Sequence, residues 1–129
     1  MKIRNILVAV SLAGFASAAA AATDVITATD QKIANKSVIA ASVSASRAGY
    51  LVVHKADATG TKPGKIIGNV AVKAGENNDV TVPLMSNVKV GSKLILMLQE
   101  ESNGDTKFDA KDKPVMTDGK IVMQAITVQ

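Results

Sequence analysis

Residues 92–99 read Ser-Lys-Leu-Ile-Leu-Met-Leu-Gln, and this stretch decides the fold. In an extended chain its three leucines would face one side, and Ile95 and Met97 would face the other. A short run that is apolar on both faces is typical of a strand in the middle of a sheet. We therefore expect residues 92–99 to form a central strand that is buried on both sides.

Six further segments of strand length surround this one. Their apolar and small residues favour extended structure, and they are Val25–Thr29, Ser37–Ala45, Gly49–Lys55, Ile66–Val72, Asp79–Leu84 and Ile121–Val128. Turn-forming sequences separate them at residues 58–64, 74–78, 102–105 and 117–120. Short strands with turns at this spacing predict an all-β fold, an antiparallel immunoglobulin-like β-sandwich of about seven strands.

The alternation in two of these segments also predicts how their side chains are oriented. In the segment at residues 79–84, the side chains that should point inward are those of Val80, Val82 and Leu84. In the segment at residues 66–72, the residues that should share one face are Ile66, Gly68, Val70 and Val72. Ile67 should lie on the opposite face.

Residues 1–22 have the order of a secretory signal peptide. Lys2 and Arg4 precede an apolar run that ends at Phe15, and small residues follow up to Ala22. The run is shorter than the roughly 20 residues of a membrane span, so no span is expected after cleavage; a retained N-terminal anchor is the alternative. We expect residues 23–129 to form one β-sandwich domain that is periplasmic or secreted.

The composition excludes several classes of function. The chain has no cysteine, which excludes thiol catalysis, thiolate zinc sites and blue-copper sites. The formal net charge of +4 falls to +2 without Lys2 and Arg4, and the remaining lysines are scattered singly. Because Tyr50 and Phe108 are the only aromatic residues after residue 22, there is no stacking platform for nucleic acid, and we expect no nucleic-acid partner.

Several short blocks follow one another from Gly49 onward. They are Gly-Tyr-Leu-Val-Val-His at 49–54, Pro-Gly-Lys-Ile-Ile-Gly at 63–68, Ala-Gly at 74–75, Asp-Val-Thr-Val-Pro-Leu at 79–84, Leu-Met-Leu at 96–98, Asn-Gly-Asp at 103–105, Phe-Asp at 108–109 and Asp-Gly at 118–119. In this order they resemble a family of uncharacterised exported β-sandwich domains found in archaea and bacteria. The resemblance implies the fold and export. Relatives often carry a histidine where Gln99 stands and an aspartate where Glu101 stands.

Residues 101–112 have the spacing of an EF-hand-type calcium loop. Oxygen ligands would come from loop positions 1, 3, 5, 9 and 12 and from the backbone carbonyl of position 7, which are Glu101, Asn103, Asp105, Asp109, Asp112 and Lys107. Thr106 stands where the loop wants glycine, and the last ligand is shorter than glutamate. The alternative is a hydrophilic hairpin loop with Phe108 folded back onto the sandwich.

His54 is the only histidine of the chain. It is either a hydrogen-bonded strand residue or a copper ligand, because imidazole and thioether groups suit copper. The thioethers on offer are Met85, Met97, Met116 and Met123, which could equally fill gaps in a core poor in aromatic residues. Tyr50 has two interpretations as well, an exposed patch with Val52 and His54 or a tyrosine with a bonded hydroxyl.

Nothing in the sequence favours catalysis. There is no Gly-x-Ser-x-Gly elbow and no His-Glu-x-x-His helix, and Glu100 and Glu101 would point to opposite faces of a strand. We therefore expect an exported, non-catalytic binding or structural module, with calcium as candidate cofactor and an unknown protein or cell-surface partner. The alternative is a periplasmic copper-handling protein that uses His54 and methionines.

Overall fold

Ten strands make up the described part of the chain, which in the computed structural model is residues 23–101, 108 and 113–129. They are β1 (Val25–Thr27), β2 (Ser37–Ala45), β3 (Gly49–Ala56), β4 (Pro63–Val72), β5 (Gly75–Pro83), β6 (Lys93–Glu100), β7 (Lys113–Pro114), β8 (Met116–Thr117), β9 (Lys120–Ile121) and β10 (Met123–Thr127). The count exceeds seven because β7, β8 and β9 have two residues each, too few to show an alternating pattern. The predicted signal peptide lies outside the described residues.

Every strand pairing in the described residues is antiparallel, which confirms the predicted fold class. A three-stranded sheet has the order β1-β2-β5, and a five-stranded sheet has the order β10-β6-β3-β4, with β7 also paired to β6. A small hairpin joins β8 to β9. None of the described residues forms a helix long and apolar enough to cross a membrane.

The core lies between the two larger sheets and is aliphatic. The inward leucines of β6, at positions 94, 96 and 98, belong to one buried cluster with valines of β2 and β5. Val80, Val82 and Leu84 are in the same cluster, as their alternation predicts. Ile95 and Met97, on the other face of β6, are also buried, so the prediction of a strand buried on both sides is confirmed.

Backbone contacts join the two sheets at both edges. On one side Gly68 of β4 bridges Leu84, which follows β5. On the other side Gln31 bridges Val128, and the Gln129 amide donates to the Gln31 carbonyl at 2.8 Å. These contacts satisfy edge groups that would otherwise be open to pairing with another chain.

A bulge in β4 corrects one prediction about side-chain orientation. Val53 of β3 pairs with Gly68, but the next residue, His54, pairs with Ile66, so Ile67 is an extra residue without a partner. Because an extra residue shifts the alternation beyond it, Ile67 is buried in the core and Ile66 is not. The prediction that Ile66 shares a face with Gly68 is therefore wrong.

Two strands begin earlier than predicted, inside segments that the sequence assigned to turns. β4 begins at Pro63, where proline is tolerated because the first residue of a strand can lack its amide donor. β5 begins at Gly75, whose φ of 98° lets the chain leave the preceding turn without the clash that a Cβ atom would cause. Both turns are consequently shorter than their composition indicates.

The loop between β3 and β4 gives a prediction about pH. One carboxylate oxygen of Asp57 accepts hydrogen bonds from the Thr59 hydroxyl at 2.8 Å and from the amides of Thr61 and Lys62. The Thr59 hydrogen bond is the main cause that lowers the pKa of Asp57. Because the folded pKa lies below the unfolded one, the stabilisation is present above about pH 4 and is lost as the pH falls through the folded pKa.

We expect Asp57→Asn to flatten the acid side of the stability curve. The variant should lose some stability at neutral pH and lose less than the parent protein on acidification below about pH 4. The measurement is the thermal unfolding midpoint as a function of pH for both proteins. Two parallel curves would show that the Asp57 carboxylate is not linked to folding.

Candidate functional site

The candidate site lies on the outer face of the five-stranded sheet, the side turned away from the core. β3 and β6 supply three cross-strand pairs to it, which are Tyr50 with Gln99, Val52 with Met97 and His54 with Ile95. All six residues are buried, yet none belongs to the core cluster between the sheets. The outer face therefore carries a second buried layer.

Tyr50 anchors the chain that follows β6 to the outer face. Its hydroxyl donates a hydrogen bond of 2.5 Å to the Glu101 carboxylate. Its ring meets Phe108 edge to face, with 5.7 Å between the ring centroids. Tyr50 does share a face with Val52 and His54, but all three are buried, so the interpretation as an exposed patch is wrong and that of a bonded hydroxyl is confirmed.

The predicted calcium loop falls almost wholly outside the described residues. Of its six ligands only Glu101 is described, and its carboxylate accepts the Tyr50 hydrogen bond. The other five lie outside that part of the chain, and they are Asn103, Asp105, Lys107, Asp109 and Asp112. Within residues 23–101, 108 and 113–129, no three acidic, histidine or cysteine residues come together in a group that could hold a metal.

His54 is held in one orientation by a single hydrogen bond. Its ring atom Nδ1 lies 3.0 Å from the Gly64 carbonyl oxygen, and since a carbonyl only accepts, Nδ1 carries the proton. In the neutral imidazole, the other ring nitrogen, Nε2, then presents a lone pair. The side chain is only 7% exposed, and among the described residues Nε2 has no hydrogen-bond partner.

An unpartnered buried acceptor is uncommon and costs free energy, because burial removes its water. A histidine that donates from one ring nitrogen to a carbonyl and leaves the other nitrogen bare has the arrangement of a metal ligand. The Gly64 carbonyl faces His54 because the register shifts between these two strands in this region. Sequence reasoning missed Gly64, since period-two alternation carries no signal of a bulge.

Of the four methionines beyond residue 22, Met97 and Met123 lie on this face, and Met116 lies on the β8-β9 hairpin. Met97 of β6 lies directly opposite Met123 of β10. Met116 pairs with Ile121 across the small hairpin, and Ile121 precedes Met123 by two residues, which places both on one side of an extended chain. Met85 lies elsewhere, beyond the edge of β4, where its amide donates to a backbone carbonyl.

The three methionines Met97, Met123 and Met116, called the methionine row below, differ in burial. Met97 is buried, and its sulfur accepts a hydrogen bond of 3.5 Å from the Gln99 amide. Met123 is 44% exposed and Met116 is 58% exposed. The methionine row therefore runs from solvent to the buried layer that contains His54.

The register places one thioether diagonally across from His54 and a second thioether one strand further away. Because Ile95 pairs with His54, Met97 is its diagonal neighbour, at about 7–8 Å between backbones, and long side chains span that separation. Met123 of β10 lies opposite Met97, with about 4.5–5.5 Å between their Cβ atoms, and is therefore two strands away from His54. The outer face thus carries one imidazole nitrogen and two thioether sulfurs on three neighbouring strands, which are donor types that suit copper ions.

The comparisons with known proteins identify a family. A family model described as a domain of unknown function, DUF7282, matches residues 24–129. No curated protein and no solved structure matches the chain. The match spans most of the 129 residues, including every strand of both sheets. The chain belongs to the DUF7282 family, a domain of unknown function.

Proposed function

We propose that this protein is an exported, non-catalytic binding module that holds Cu(I) on the outer face of its five-stranded sheet. The observation that carries the proposal is the buried Nε2 atom of His54, which has a lone pair and no hydrogen-bond partner among the described residues. Sequence left two functions open, and the geometry supports copper handling better. The hypothesis of a calcium-stabilised interaction module still depends on the spacing of residues 101–112 alone.

The proposed ligands are His54, Met97 and Met123. All three are neutral, which suits a monovalent ion in a partly buried site because no second charge has to be desolvated. Met97 has three rotatable side-chain bonds, so its sulfur can turn from the Gln99 amide towards the imidazole without backbone movement. Met116, at the exposed end of the methionine row, would receive the ion from solvent.

Export and lack of catalysis complete the proposal. Residues 1–22, with their two cations, apolar run and alanine-rich end, support export. His54 is the only histidine, and its Nδ1 proton is held by a backbone carbonyl. Among the described residues, the His54 ring has no hydrogen-bond partner besides that carbonyl, which favours binding over acid–base chemistry on the outer face.

A Cu(I) titration tests the proposal. Purified protein would compete with a chromogenic Cu(I) chelator under anaerobic, reducing conditions. We expect one Cu(I) per chain, with affinity at least about tenfold lower in His54→Ala and Met97→Leu, since each removes one donor.

Met85→Leu is the matched control, because it removes a thioether that lies off the outer face. Its affinity should equal that of the parent protein. Unchanged affinity in His54→Ala, or an equal loss in Met85→Leu, would contradict a site built on this face.

A further inference from the structure

A cavity of about 460 Å³ opens at one end of the sandwich, where β3 ends and β6 begins. Its accessible apolar lining includes Ala58 and Val88, and three lysines line it as well, Lys55, Lys89 and Lys93. The volume lies within the range of small-molecule sites in proteins. It is separate from the proposed copper ligands, none of which lines it.

The charge of the lining is unbalanced. Among the described residues that line it, Asp57 is the only acidic one, and one of its oxygens already accepts three hydrogen bonds from its own loop. Within the described part of the chain, none of the three lysines forms an ion pair with a carboxylate. The cavity therefore offers positive charge above an apolar surface.

The lysines are carried on backbone that is held in place. Lys55 pairs in register with Leu94, so Lys55 and Lys93 lie on adjoining strands at this end of the sheet. The stem of Lys93 packs closely on Gly60, where an added Cβ atom would come within 2.7 Å of the lysine Cδ. The turn that carries Lys89 is closed by a hydrogen bond of 3.0 Å from the Ser92 amide to the Lys89 carbonyl.

We propose that this cavity binds a small organic anion, with its charged group near Lys89 and Lys93 and its apolar part on Ala58 and Val88. Lysine acts as a compact point charge and takes a carboxylate or a phosphate group equally well. The apolar lining would add affinity in proportion to the area that a short hydrocarbon chain buries.

Titrations followed by amide NMR spectra test this site with four probes: hexanoate, hexyl phosphate, inorganic phosphate and hexanol. Hexanoate or hexyl phosphate should shift the amide signals of residues 87–94 saturably, which identifies the group preferred by the lysines. Inorganic phosphate and hexanol should each bind at least about tenfold more weakly, because phosphate lacks the hydrocarbon chain and hexanol lacks the charged group. If inorganic phosphate or hexanol bound as tightly as hexanoate or hexyl phosphate, the proposal would be overturned.

Lysine variants supply the control. Lys89→Met and Lys93→Met keep an unbranched side chain and remove the charge, and each should weaken binding at least about threefold. Lys73→Met removes an exposed lysine that follows β4, at the opposite end of the sheet, and should leave affinity unchanged. An equal loss in all three variants would show attraction to net charge and would contradict a site in the cavity.

Discussion

Leu96→Ala is expected to lower the free energy of unfolding by about 3–5 kcal/mol. Leu96 lies at the centre of β6, paired with Val53 of β3 and Gln124 of β10, and it is fully buried in the core cluster. The variant loses the transfer free energy of the missing methine and two methyl groups and leaves a cavity. Paired strands on both sides prevent the backbone from collapsing into that cavity.

Ile39→Ala is the matched control, because it removes a similar volume from β2 at a position that is 47% exposed. It should cost less than about 1 kcal/mol. Equilibrium unfolding in urea measures both variants, and an unchanged slope would keep the comparison valid. Equal losses at the two positions would contradict the assignment of inward and outward faces.

Gly49→Ala is expected to destabilise the protein by at least about 2 kcal/mol, although alanine is normally tolerated at the end of a strand. Gly49 begins β3 and pairs with Glu100 on one side and with Val72 on the other. An added Cβ atom would overlap the carbonyl oxygen of Gln99, a backbone atom held in the sheet. The strand would have to move away from β6 to admit a methyl group.

Gly119→Ala separates this steric effect from the ordinary cost of replacing glycine. Gly119 has a φ of 78°, and an added Cβ atom there meets nothing within 4 Å. Its replacement should therefore cost only the backbone strain, about 1 kcal/mol. If urea unfolding showed a larger loss in free energy of unfolding for Gly119→Ala than for Gly49→Ala, the close approach of β3 to β6 would be contradicted.

The large features of the fold follow from simple alternation. A run that is apolar on both faces predicts β6 as a central strand, and the inward positions of β5 follow from their spacing of two. The bulge at Ile67 could not be predicted, because an extra residue changes the alternation without changing the composition. The bridges that join the sheet edges depend on residues far apart in sequence, such as Gln31 and Val128.

The chemistry of the outer face was predictable, but its geometry was not. The residue types already indicate His54 and four methionines as soft donors. Only the register of β6 with β10 shows that Met97 lies opposite Met123, and only the fold places Met85 elsewhere. The bare Nε2 atom of His54 likewise depends on the Gly64 carbonyl, which the bulged region brings to the ring.

X-ray absorption at the copper edge of the Cu(I)-loaded protein tests the central claim most directly, because it reports which atoms surround the ion. We predict one imidazole nitrogen and two sulfurs, with the imidazole lost in His54→Ala and a sulfur lost in Met123→Leu. The Met85→Leu variant should keep both sulfur ligands seen in the parent protein. A shell of nitrogen and oxygen alone would contradict a copper site on the outer face of this sheet.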